Sequence, residues 1–418
     1  MLTFLEILTI CVSIVFTFIS LKSLNRSSIY IYHLIFVMLL VCPLCLDYLF
    51  GKPNYANSYP LFLDSYDDTA TRYIYSAFIL LTQFFILYYA KKNKNKYSFA
   101  AEEKESFYDK YSINLAIWLG AISTPLLAIC FRMPIRNILT WGWRYDGYDV
   151  SSIIGYGSLE RLTYISIISA AILLIRSKKL RTKIFTLLVI YINVCIEGKR
   201  SAIFFAVATV IICYLLLYER KIKISKLIIP GIICVFILVA LSLKIQSSYR
   251  GYDTFEGLYR MIRVDFFRDD TVKSVIYLIL HPEKGKVLDY PGQSLIMQLG
   301  FLFPLIWLPI PKVGYETYLT AALKYRDIYS LPNTVRMTPS IYDCLFANTS
   351  FLALFIIPIF IIVYSRYTDK ATRSAKPILV TFFLMYSMYS LSYICWFIEF
   401  WLIVIFLSKR IRVTFGKK

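Results

Sequence analysis

Histidine is nearly missing: His33 and His281 are the two copies in 418 residues, too few for a histidine-rich metal site. Nine cysteines are present but give no paired framework. Cys42 and Cys45 have C-x-x-C spacing, yet Pro43 and Leu44 fill the gap inside an apolar run, and no second pair exists. Most of the others (Cys11, Cys130, Cys195, Cys213, Cys234, Cys395) also fall in apolar runs, where they read as packing residues rather than disulfide partners. No D-x-D metal clamp occurs, so neither a metal nor a cofactor is expected. Charge is thin, at 17%, and acids are the scarcer sign: 26 Asp/Glu against 46 Lys/Arg, a formal net charge of +20.

What is abundant is apolar surface. A soluble domain averages roughly 45–50% apolar residues; this chain reaches 58%, with mean hydropathy +0.61. The surplus must face lipid, so the expectation is an all-α polytopic membrane protein, a single integral domain over 1–418. Its positive charge then serves loop retention and an anionic substrate rather than nucleic acid. Residues 1–21 lack a basic leader and a small-residue cleavage site, and read as a retained span rather than a signal peptide.

Crossing a ~30 Å hydrocarbon core takes about 20 mostly apolar residues. Eleven stretches fit: 2–21, 29–50, 72–90, 111–131, 159–176, 184–197, 201–218, 227–245, 345–364, 377–394 and 396–408. With loop 91–110 cytoplasmic, alternation places 26 of the 46 basic residues in short cytoplasmic pieces. That is the bias that sets orientation, giving an external N-terminus and a cytoplasmic C-terminus. The run 294–310 cannot cross by itself without inverting everything after it. Its Pro304 and Pro309, with Pro311 beyond, also oppose a straight helix, so a re-entrant or interfacial element is expected.

The segment 244–344 stands out as a large external insertion. Inside, lysine outnumbers arginine 18 to 8, whereas outside arginine outnumbers lysine 12 to 8. Lysine suffices to hold a loop at an anionic leaflet; arginine grips phosphate through a planar fork. Arg250, Tyr252 and Asp253 open this segment. Arg260, Arg263, Asp265 and Arg268 follow, and if helical, Arg260 and Arg263 share a face at i, i+3. The competing reading is a helix lying on the bilayer with local ion pairs. Arg336-Met337-Thr338-Pro339-Ser340 and then Asn348 lead into the next span. Pro339 there can start a helix with Thr338 as its cap, offering amide N–H groups to an anion. Elsewhere Glu197-Gly198-Lys199-Arg200-Ser201 makes a tight external turn with two cations. Loops 51–71 and 132–158 mix tyrosine and tryptophan with carboxylates, which suits sugar rings, or an interfacial aromatic belt.

Lys199-Arg200-Ser201 after a span, an arginine-rich external loop, and a Thr-Pro-Ser … Asn run entering the next span resemble bacterial oligosaccharide repeat-unit (O-antigen, Wzy-type) polymerases. Family signatures of arginine, ten residues and glycine fit Arg136…Gly147 and Arg144…Gly155, although neither lies in the long segment. The resemblance implies a GT-C-like glycosyltransferase of the bacterial inner membrane. It would move a growing glycan from undecaprenyl pyrophosphate to the terminal sugar of an incoming undecaprenyl-pyrophosphate-linked repeat unit, for O-antigen or capsule, without a metal. A chain-length regulator and a flippase are the implied protein partners, and membrane lipid the surroundings. On this reading Arg250 and Arg336 neutralise the leaving pyrophosphate and Asp265 or Asp253 is the base, with Glu197 a weaker choice. Lys199, Arg200, Tyr252, Arg260, Arg263, Arg268, Thr338 and Asn348 bind substrate.

Three rivals are distinguishable. An O-antigen ligase would use an external histidine, for which His281 is the candidate. A flippase would line an intramembrane cavity with charge, but the spans hold few acids (Glu6, Asp47, Glu399). A membrane acyltransferase would need a buried histidine, and His33 is the one available.

Overall fold

The computed structural model describes residues 3–24, 26–52, 59–93, 107–143, 156–217, 259, 262–264, 266–302, 314–330, 337–371 and 375–388. The side chains of 107–113, 156–158, 160, 161, 200 and 298–302 are outside that description. The expected spans 227–245 and 396–408, and the prolines 304, 309 and 311, also lie outside the described residues. Every regular element among the described residues is helical. In chain order the first helices are α1 (Phe4–Ser23), α2 (Ser28–Leu40), α3 (Cys42–Phe50), α4 (Pro60–Asp67) and α5 (Thr69–Lys92). Next come α6 (Phe107–Cys130), α7 (Ile135–Leu139), α8 (Tyr156–Arg176), α9 (Leu180–Glu197) and α10 (Arg200–Leu217). The last are α11 (Asp269–Leu280), α12 (Gln293–Leu302), α13 (Tyr315–Leu323), α14 (Ile341–Thr349), α15 (Ala353–Lys370) and α16 (Ala375–Met388).

Among the described residues, four helical stretches are long and apolar enough to cross a membrane: Phe4–Ser23, Ser28–Phe50, Thr69–Lys92 and Ile341–Lys370. Shorter apolar helices cover Asn114–Cys130, Leu162–Arg176, Ser201–Leu217 and Ala375–Met388. Packing of α1 gives the physical reason for a lipid setting. Its buried residues are all polar or charged (Glu6, Thr9, Ser13, Ser20, Ser23), while Phe4, Ile14, Val15 and Phe18 are at least half exposed. Small polar residues facing inward and large apolar ones outward are what lipid-solvated helices require.

Contacts divide the chain into two compact units. The first contains residues 1–101, 256–370 and 382–395, the second 102–255, 371–381 and 396–418. In the first, α1, α2, α5 and α15 form the helical body. A polar ladder runs through it: Gln83 Nε2 donates to Ser13 Oγ at 2.7 Å, and His33 lies between Ser20 Oγ at 2.9 Å and Gln83 Oε1 at 3.3 Å. His33 is therefore a satisfied core residue. Tyr32 closes the other side, its hydroxyl 2.6 Å from Thr368 Oγ1 and its ring 4.3 Å from that of Phe383.

One proline shapes one end of this unit. Pro43 has no N–H, which leaves the Leu39 carbonyl without its helical donor, and the helix breaks at Val41 between α2 and α3. The backbone N–H of Arg268 takes the Leu39 carbonyl at 3.2 Å, and the Tyr75 hydroxyl takes that of Leu40 at 2.7 Å. The break thus docks the chain entering α11 onto a membrane helix. Through this docking, α11 packs against α4, α5 and α14, and Val272, Val275 and Ile276 are almost fully buried.

The second unit is built on α6, α8, α9 and α10. Ser166 Oγ donates to the Ala121 carbonyl at 2.5 Å and accepts from Asn193 Nδ2 at 2.8 Å, tying α6, α8 and α9 together. At one end Trp143 packs with Ala128, Met133, Leu159 and Ile196, and its indole N–H donates to the Cys195 carbonyl at 2.7 Å.

Candidate functional site

The end of the first unit at which α2 breaks holds a buried ionic network whose members come from four places in the sequence. Asp47 lies on α3, one turn beyond Pro43. Arg263 precedes α11, and Asp269, Asp270 and Lys273 lie on it. Arg263 binds Asp269 with two parallel bonds, Nη1–Oδ1 at 2.5 Å and Nη2–Oδ2 at 2.9 Å, and Nη2 also reaches Asp47 Oδ2 and Asp270 Oδ1 at 3.1 Å each. Lys273 Nζ is 2.9 Å from Asp269 Oδ2. Two phenols complete the shell: Tyr259 donates to Asp47 Oδ1 at 2.6 Å and Tyr66 to Asp47 Oδ2 at 3.2 Å. The Tyr66 ring lies between Lys52 and Lys273, 4.0 and 4.9 Å from its centroid.

Local physics explains this assembly. Asp269 and Asp270 occupy the first turn of α11, where the helix dipole favours negative charge, and Asp269 and Lys273 are an i, i+4 pair. Burial by itself pushes the Asp269 carboxyl up, but the charges of Arg263 and Lys273 outweigh it and hold the group low. Asp270 moves the other way: burial raises it, Arg263 pulls it back, and the like charge of Asp269 adds to the rise. Burial first, and then the carboxylate of Asp47, pushes the Tyr66 hydroxyl far above its usual range, so it stays a donor.

Arg263 and Arg268, expected from the sequence to grip a bound anion, are 1% and 2% exposed. Arg263 is surrounded by carboxylates of the protein itself. Arg268 donates through Nε and Nη2 to the Met388 carbonyl at 3.1 and 2.8 Å. Neither side chain reaches a surface, and both fasten the long segment to the membrane helices. The pairing runs across 216 residues to Asp47 rather than along a surface helix. Arg250, Tyr252, Asp253, Arg260, Asp265 and Arg336 lie outside the described residues.

Thr338 does not cap a helix, and Pro339 does not start one. The cap is Ser340, two residues later: its Oγ accepts from the Asp343 N–H at 3.3 Å while Asp343 Oδ2 accepts from the Ser340 N–H at 2.8 Å. The reciprocal bonds of a capping box outweigh a proline start here. Ser340 Oγ also donates to the same Asp343 oxygen at 2.7 Å, and Thr271 Oγ1 adds a third donor at 2.8 Å, joining α11 to α14. Asn348 is buried, and its Nδ2 donates to Ser294 Oγ at 2.5 Å and to the Cys344 carbonyl at 2.6 Å.

A second cluster of carboxylates and aromatic rings in this unit is drawn partly from the 51–71 loop. Tyr325, at φ 51°, hydrogen-bonds Asp64 through its hydroxyl. His281 is placed between Asp68 (Nε2–Oδ2 3.7 Å) and Glu283 (Nδ1–Oε1 3.5 Å), with its ring 4.5 Å from that of Tyr277. Tyr329 is 93% exposed beside Asp327, which accepts from its N–H at 2.9 Å.

In the second unit Lys199 pairs with Glu197 (Nζ–Oε1 3.3 Å), which also accepts from the Tyr164 hydroxyl at 3.3 Å. Gly198 turns the chain at φ 64°, a left-handed value that suits glycine. Trp141 donates to the Lys199 carbonyl at 3.4 Å, so the aromatic loop and the Glu-Gly-Lys turn, two separate sequence signals, meet. Arg200 is the first residue of α10. Among the described residues, no group of histidine, cysteine and carboxylate side chains could hold a metal ion. No family model, curated protein or solved structure matches this chain.

Proposed function

We propose that this protein is a membrane glycosyltransferase of the bacterial inner membrane that polymerises lipid-linked oligosaccharide repeat units. It transfers the growing glycan from undecaprenyl pyrophosphate to the terminal sugar of the next unit. The observation that carries this reading is a face of the first unit where Asp64, Asp68 and Glu283 stand among Tyr277, Tyr325 and His281. Carboxylates beside aromatic rings match the dense hydroxyls and apolar C–H faces of a sugar. With Arg263 and Arg268 occupied inside the protein, neutralising the pyrophosphate falls to Arg250, Arg260 and Arg336, with Lys199 and Arg200 assisting. The base is Asp265 or Asp253.

The eleven-span arrangement with an external N-terminus belongs to the same proposal. It draws support from the first unit's other end. There Lys22, Arg26, Lys91, Lys92, Arg366 and Lys370 gather at the ends of α1, α5 and α15 and the start of α2, as a cytoplasmic face requires. In a strain lacking the gene, variants Arg250→Ala and Arg336→Ala should restore no polymer although each accumulates in the membrane as the native protein does. Normal chain length in both would remove the assignment.

His281 favours a second reading, an O-antigen ligase, because its ring is partly open to solvent and held between two carboxylates. On that reading His281→Ala leaves lipid-linked polymer intact and unattached; on the first, it leaves attachment untouched.

A further inference from the structure

We propose that the groove between the start of α2 and the end of α5 binds the phosphate headgroup of an anionic phospholipid. The groove is a narrow cleft, partly open to solvent. Arg26, Ser27 and Asn93 line it together with Tyr30, Tyr89, Ile29 and Ala90. A lining that joins polar and apolar side chains fits a headgroup carried on acyl chains better than a free ion.

Position and charge point the same way. The groove lies where three crossing stretches end: α1 finishes at Ser23, α2 begins at Ser28 and α5 finishes at Lys92. Headgroups lie at that level. Lys22, Arg26, Lys91 and Lys92 are all exposed, and no ion pair joins any of them to a carboxylate among the described residues. The nearby acid is Asp369, already bonded to Ser27 Oγ at 2.5 Å and the Ser28 N–H at 2.8 Å. Those bonds fix the Ser27 side of the groove and leave four cations for an outside anion. Arg26 can offer a phosphate two parallel bonds, and juxtamembrane cations attract anionic lipid strongly at short range.

The test is native mass spectrometry of the delipidated full-length protein, titrated separately with phosphatidylglycerol, phosphatidylcholine and inorganic phosphate. The native protein should retain one phosphatidylglycerol in preference to phosphatidylcholine, and millimolar inorganic phosphate should not displace it. Arg26→Gln should weaken retention roughly fivefold, and Arg26→Gln with Lys91→Gln and Lys92→Gln about a hundredfold, from the worth of each surface cation. All three positions are exposed, so a monodisperse size-exclusion profile is expected of each variant, and the single variant carries the test by itself. Equal retention of both lipids, unchanged retention in Arg26→Gln, or displacement by inorganic phosphate each overturns the proposal.

Discussion

Removing the Arg263 guanidinium tests the ionic network most severely. Its two nitrogens bond three carboxylates, and the side chains of Arg263, Asp47 and Asp269 are 0% exposed. Arg263→Ala leaves Asp47, Asp269 and Asp270 facing one another, with Lys273 bonded to Asp269 alone among them. Stripping one partner from a buried ion pair costs about 3–5 kcal/mol, because the charges left behind cannot return to water. Asp47→Asn is milder. Arg263 keeps its paired bonds to Asp269 and its bond to Asp270, so the loss is about 1–3 kcal/mol of charge-assisted bonding. The assay is reversible unfolding in mixed micelles followed by tryptophan fluorescence. The order expected is native, then Asp47→Asn, then Arg263→Ala, with Arg263→Met/Asp47→Leu losing less than the two single losses added together. An Arg263→Ala protein as stable as the native one would refute the reasoning and return Arg263 to the pool of substrate-binding arginines.

Further expectations concern titration, backbone and indole. Asp270 is held up by burial and, against the pull of Arg263, by its neighbour Asp269, so its contribution to stability is complete below the ordinary carboxyl range and lost as pH rises through the raised value. Asp269 is held low, so its contribution is present above the ordinary range and lost as pH falls through the lowered value. Thermal midpoints measured between pH 3 and 8, roughly the span over which carboxyls titrate, should therefore peak on the acid side of neutral. Asp270→Asn should flatten the fall toward neutral pH, and an unchanged profile would contradict the assignment. Pro43→Ala restores a donor for the Leu39 carbonyl and sets it against the Arg268 N–H, so hydrogen exchange at residues 266–272 should quicken while the α1 and α5 amides stay protected. Trp143→Phe should cost about 1 kcal/mol through the lost bond to Cys195, read as a lower unfolding midpoint; no shift would mean the indole bond adds nothing.

The membrane helices were legible because hydropathy is a local property of the chain. Stretch 2–21 overlaps the run Phe4–Ser23, and 29–50, 72–90 and 345–364 fall within the other helical runs that can cross. The site was far less legible. Asp47 and Glu6 could be marked as rare intramembrane acids, which normally have partners, yet Arg263 and Arg72 lie 216 and 66 residues away, beyond any helical spacing rule. Arginine density outside the membrane was read as anion binding. For Arg263 and Arg268 it is internal fastening, because a long insertion must be held down and bidentate guanidinium does that well. Ser340 and Asp343 carry the capping-box spacing in plain view, beside the competing Thr338-Pro339 start; the reciprocal local bonds decide for Ser340, and the tertiary bond from Thr271, which no local rule shows, adds to them. Pro43 was visible as a helix breaker, but nothing local says that Arg268 takes the carbonyl it frees.

The measurement closest to the central claim is the glycan ladder of a strain from which this gene has been deleted. A polymerase predicts that surface glycan collapses to a single repeat unit and that full-length chains return with the native gene but not with Arg336→Ala. Full-length polymer persisting in the deletion strain, whether attached or still on its lipid carrier, would contradict it.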